Sequence, residues 1–168
     1  ADVDPTYAGA EYWSIAGPAY MGGDEPAWNS TDGGMFTTED AAFNEDVETI
    51  SPVTPPSNFS ILWDGDLMSE TLDHDFNEAD YIPLSVNITK WDYENQQDNL
   101  IFKSSDVLTN NGTKGNAGLV ADLLGDWREE IIVRSAADTN KIRIYTTTIP
   151  TEYSEPCLMG NHAYRVGI

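Results

Sequence analysis

A single cysteine, Cys157, stands in 168 residues, and eight basic side chains face 29 acidic ones. One thiol rules out an internal disulfide. No apolar run approaches the roughly 18 residues that a membrane helix needs, so no membrane partner is expected. The formal net charge of −21 sets up a field that repels phosphates and anionic lipid surfaces, which excludes nucleic acid as well. His74 and His162 are far apart and Cys157 stands alone, so no zinc cluster is expected and both histidines read as structural or surface residues. Helical periodicity is also scarce. The chain opens at Ala1 without an initiator Met or a leader and stops at Ile168 in a strand-like run, so both ends read as cut.

What is present is a folding composition: 40% hydrophobic residues, with five Trp and eight Tyr. A domain of this length buries about 70% of its unfolded surface, enough for one core. Self-repulsion at this charge opposes compaction unless cations offset it, which points to calcium or to a salt-adapted or acid-adapted surface.

Short β-rich runs recur at 59–63, 84–93, 99–103, 130–134 and 141–148. The expected fold class is all-β. In the last run Ile142 and Ile144 share one face and Arg143 and Tyr145 the other, and the Ile face is expected to line the core. Residues 22–56 are dense in Gly, Pro, Ser, Thr, Asn and acids and read as an acidic insertion or long surface loop.

The chain also repeats itself. An acidic turn followed by a Glu that opens an apolar stretch occurs three times: Asp2 and Asp4 leading to Glu11, Asp64 and Asp66 leading to Glu70, and Asp122 and Asp126 leading to Glu130. Asp2, Asp64 and Asp122 lie 62 and 58 positions apart, a spacing that suits β-propeller blades of about four short strands each. About three blades fit the chain. These nine carboxylates are candidate metal ligands, because calcium takes six to eight hard oxygens and alternating acids in a tight turn supply them. In the third turn the carbonyl of Arg128 is expected to add an oxygen, whereas Leu124 fills a slot where a carboxylate belongs. The alternative for every turn is that its acids simply cap backbone N–H groups.

Several strings, in order, resemble the family 11 polysaccharide lyases that act on rhamnogalacturonan. They are Ala1-Asp2-Val3-Asp4-Pro5, Trp63-Asp64-Gly65-Asp66-Leu67, Lys90-Trp91-Asp92-Tyr93, Asn110-Asn111-Gly112-Thr113-Lys114, Gly125-Asp126-Trp127-Arg128-Glu129-Glu130 and Arg143-Ile144-Tyr145-Thr146-Thr147-Thr148. The resemblance implies that residues 1–168 are the later part of a catalytic, calcium-stabilised, eight-bladed β-propeller. It also implies a secreted, extracellular enzyme that cleaves the rhamnose–galacturonic acid backbone of pectin, rhamnogalacturonan I, by β-elimination. Asn111, Gly112 and Thr113 match sugar-contacting positions and Lys114 a catalytic one. Lys suits the role of base, because its pKa falls when it is desolvated, whereas Arg stays protonated. Read without the resemblance, Asn111-Gly112 is an exposed hairpin turn.

The family's catalytic Arg falls before the segment matching Ala1, an aromatic substrate contact falls after the one matching Ile168, and 157–162 departs from the usual His-Asp-Pro run. The chain alone is therefore expected to be an incomplete enzyme that needs the remainder of its parent propeller or self-association. Two alternatives are a non-catalytic, calcium-stabilised pectin-binding module that grips sugar through Trp13, Trp28, Trp91 or Trp127, and a calcium-dependent interaction propeller.

Overall fold

The computed structural model describes residues 1–14, 34–38, 49–77, 82–111 and 116–168. Within them lie ten strands in three antiparallel groups. Strands β1 (Glu11–Ser14) and β2 (Gly34–Thr37) form a pair. Next come β3 (Phe59–Ile61), β4 (Glu70–Asn77), β5 (Ile82–Asp92) and β6 (Gln97–Lys103), a four-stranded sheet in chain order. In the third group β9 (Glu130–Ser135) is central, with β10 (Ile142–Tyr145) on one side and β7 (Val107–Leu108) and β8 (Leu119–Ala121) on the other. A 3-10 turn (Leu158–Gly160) and a short helix α1 (His162–Gly167) end the chain; the Asn161 carboxamide caps α1 by accepting from the amides of Ala163 and Tyr164.

Strand β2 is a finding within the stretch read as an insertion. Met35 is fully buried there, beside Val3 and Trp91, so that part of 22–56 belongs to the core. The main core joins the second and third sheets through Ile61, Trp63, Leu72, Val86, Ile88, Val107, Ile131 and Val133. One apolar cluster drawn from both sheets thus excludes water between them.

The Ile face of β10 departs from expectation. Ile142 and Ile144 are 62% and 57% exposed, while the Tyr145 ring turns inward onto Phe102 with centroids 5.1 Å apart. Alternation assigned the two faces correctly, but the aromatic side meets the core.

The three groups follow one another by a recurring seam. The amide of Ser69 donates to the carbonyl of Asp2 at 2.6 Å, and the amide of Glu129, in the equivalent place sixty residues on, donates to the carbonyl of Leu62 at 2.8 Å. Glu129 adds its carboxylate, which accepts from the Leu62 amide at 2.9 Å and from the Tyr164 hydroxyl at 2.6 Å.

Candidate metal centre

Glu11, Glu70 and Glu130 are each the first residue of a strand and each almost completely buried, at 1%, 0% and 1% exposure. Burying a carboxylate is costly unless hydrogen bonds replace its water. Here one oxygen of each accepts two consecutive backbone amides from the turn before it. Glu11 Oε2 takes Val3 and Asp4 at 2.8 and 3.1 Å, Glu70 Oε2 takes Trp63 and Asp64 at 2.7 and 3.2 Å, and Glu130 Oε2 takes Leu123 and Leu124 at 2.8 and 3.0 Å. Asp4, Asp64 and Leu124 are thus equivalent, and the slot without a carboxylate in the third turn is a true counterpart of the other two. The backbone repeats as well, with Gly65 and Gly125 at φ +86° and +79° and, two residues on, Leu67 and Trp127 at 78° and 67°. A Cβ at Gly65 would stand 2.8 Å from Cβ of Thr151, so that turn has room for glycine alone.

The second oxygen of each Glu separates the three copies. Glu11 Oε1 is buried with no hydrogen-bond partner among the described residues. Burial pushes its pKa up, and the nearby Asp2 charge adds to the rise. Glu70 Oε1 accepts from Lys90 Nζ at 2.9 Å. Glu130 Oε1 accepts from the Thr146 hydroxyl at 3.1 Å.

Only Asp64, Asp66 and Glu70, among the described residues, gather their carboxylates within 4.8 Å of one another. The Lys90 ammonium stands among them, bonded to Asp64, 2.6 Å from Asp66 and 2.9 Å from Glu70. Burial works against the Lys90 charge, but the carboxylates outweigh it and hold the pKa above the usual lysine range. Burial likewise raises Asp64, and Lys90 reverses this to a net lowering. Glu70 is the most deeply placed, and burial pushes it up to about 7 against the pull of Lys90.

The expected ligands of the third turn are taken by protein donors. Asp122 accepts the amides of Gly125, Trp127 and Leu158 at 2.7, 3.2 and 2.8 Å, and Asp126 pairs with the Arg128 guanidinium at 2.7 Å. With Glu130 also satisfied, these acids act as caps and do not converge. Calcium therefore meets the three turns unequally: in the first, Glu11 Oε1 is bare near the Asp2 charge while Asp4 Oδ1 accepts from the amide and hydroxyl of Thr6, the second turn already holds a cation, and the third offers no free carboxylate cluster. Lys90 escaped the sequence reading; the signal was its register, since Thr71 pairs with Thr89 and places Lys90 across from Glu70.

Of the expected sugar-side residues, Asn111 is exposed with φ 56°, next to the isolated antiparallel bridge between Asn110 and Asn116 in the connection from β7 to β8. Gly112, Thr113 and Lys114 lie outside the described residues. Trp91 and Trp127 are buried and Trp13 is half-buried with its Nε1 donating to the Pro56 carbonyl, while Trp28 lies outside the described residues. The buried pair offers no stacking surface to a sugar.

An all-β domain in which each strand group carries one Glu-anchored acidic turn is the class of protein these features define. The chain belongs to rhamnogalacturonan lyase family 11: the family's C-terminal domain matches residues 1–168. It is 43% identical over 169 residues to a rhamnogalacturonan exolyase, YesX, and 39% identical over 168 residues to a rhamnogalacturonan endolyase, YesW, both of Bacillus subtilis (strain 168). Each match takes in 100% of this chain but 24% and 22% of the relatives, so the chain spans about a quarter of their length. The crystal structure of the exotype lyase YesX superposes with a TM-score of 0.80 at 41% identity, over 99% of this chain and 24% of that one.

Proposed function

We propose that this chain is part of a secreted rhamnogalacturonan lyase that cleaves the rhamnose–galacturonic acid backbone of pectin by β-elimination. The observation that carries the reading is likeness along the entire chain, at 43% and 39% identity, to two proteins named as lyases of that polymer. A polysaccharide too large to cross a membrane calls for an enzyme outside the cell. The recurring seam, amide 69 to carbonyl 2 and amide 129 to carbonyl 62, supports successive blades of a propeller, since each strand group meets the next in the same way.

In the proposed reaction the Lys114 amine takes the proton from C5 of a galacturonate. The C–H electron pair becomes the C4–C5 double bond, the C4–O bond breaks, and the departing sugar oxygen takes a proton from water. Lys114 follows Asn111, Gly112 and Thr113 in the sequence, and those three would contact sugar. Calcium, when bound, supplies charge neutralisation, and Asp2, Asp4 and Glu11 are the residues here that would hold an ion.

The product of β-elimination carries a C4–C5 double bond conjugated to a carboxylate and absorbs in the ultraviolet. Incubating the intact protein with rhamnogalacturonan I should produce steady absorbance growth. The Lys114→Ala variant should melt as wild type does yet show no growth. Binding of the polymer without absorbance growth by the wild type would replace the lyase with a binding module.

A further inference from the structure

The three Glu-anchored turns are copies, so differences between them at matched positions show what each has been built to do. Thr37 pairs with Glu11, and one step beyond the pairs Thr71–Thr89 and Ile131–Tyr145 the same registers bring Lys90 to Glu70 and Thr146 to Glu130, where their side chains bond. The lysine coincides with the one turn, among the described residues, that gathers three carboxylates. Where the third turn has Leu124 in place of Asp64, its facing residue is a neutral threonine that donates a single hydrogen bond.

An ammonium has three N–H donors and no acceptor. Lys90 directs them to three separate side chains, Asp64, Asp66 and Glu70, and these carboxylates meet it from one backbone turn and one strand start. Donors and acceptors match one to one. A divalent ion entering the same space would need oxygens at about 2.3–2.6 Å on six to eight sides, and would leave the lysine charge half-buried beside a second positive charge.

We propose that Lys90 is the resident cation of the second acidic turn, tethered where a divalent ion would otherwise sit, so that this turn folds without metal and takes none. Metal dependence then concentrates where no tethered cation exists, above all at the first turn with its bare Glu11 oxygen. The second turn becomes a latent calcium site, masked by one side chain.

The test counts bound calcium in the intact protein by equilibrium dialysis, for wild type, Lys90→Thr and Asp66→Asn. Lys90→Thr copies the residue that faces Glu130, and it should bind one further calcium ion per chain and melt at a temperature that now depends on calcium. Asp66→Asn should keep the wild-type number of ions, because Asp66 contacts Lys90 and no metal. Loss of an ion in Asp66→Asn, or no gain in a folded Lys90→Thr, would overturn the proposal. Should Lys90→Thr fail to fold even in calcium, the Asp66→Asn count alone decides. The readout is a difference between variants, so it stands whether or not the lyase assay succeeds.

Discussion

A glutamate at the head of a strand is an unusual choice, since Glu favours neither strands nor full burial. At Glu11, Glu70 and Glu130 the carboxylate is used as an acceptor that closes the turn behind it, and the strand begins where that closure ends. Removing such an acceptor leaves two buried amides without partners. Glu130→Ala should lower the unfolding free energy by about 3 kcal/mol, whereas Glu130→Gln, which keeps a carbonyl oxygen in reach of both amides, should lose about 1 kcal/mol. Urea denaturation of both variants checks the contrast. The three glutamates were legible as a repeat because their spacing survives in the sequence. Their partners were not, because an amide carries no side-chain label. The acids were read as metal ligands with capping as the alternative, and at Asp122 capping is what the structure displays.

Strands whose composition is strand-like were legible, and those that depend on partners were not. Strand β4 reads Glu-Thr-Leu-Asp-His-Asp-Phe-Asn, poor in β-formers, yet it runs for eight residues. Asp75 there meets Lys103 and the Asn87 carboxamide, contacts set by strand pairing, and Asp73 meets the ring of its neighbour His74. Strand β10 shows the opposite limit: period-two alternation tells which residues share a face but not which face is covered. Among the terminal elements, α1 is too short to hold itself and is fastened by the Tyr164 hydroxyl, which donates to Glu129 and accepts the Asp122 amide at 3.0 Å. Burial and the Glu129 hydrogen bond both raise the Tyr164 pKa, keeping that proton in place. Tyr164→Phe should cost about 1–2 kcal/mol. Amide exchange across His162–Gly167 should quicken in that variant while β9 stays protected.

At the scale of the molecule, charge dominates. A net −21 must be compensated for compactness, and tethered cations such as Lys90 and Arg128 answer only locally. Under the calcium proposal, one ion at 100 times its Kd adds about 2.7 kcal/mol, so chelator should lower the melting temperature by about 5–10 °C. Monovalent salt should restore part of that loss by screening. Circular dichroism melts with and without chelator measure it, and an unchanged melt would remove calcium from the account. All-β character and the triple repeat were visible in the chain, whereas the assignment of three different partners to three equivalent oxygens needed the tertiary register.

Each Glu closes its turn over only six to eight residues. Loops of that size close in about 10–100 ns, long before distant strands can find one another. A chain emerging from the ribosome therefore ties one small clasp after another, and every clasp fixes the direction in which its strand sets off. Order along the polypeptide becomes order in assembly, with the slow search between sheets starting from ends that are already aimed.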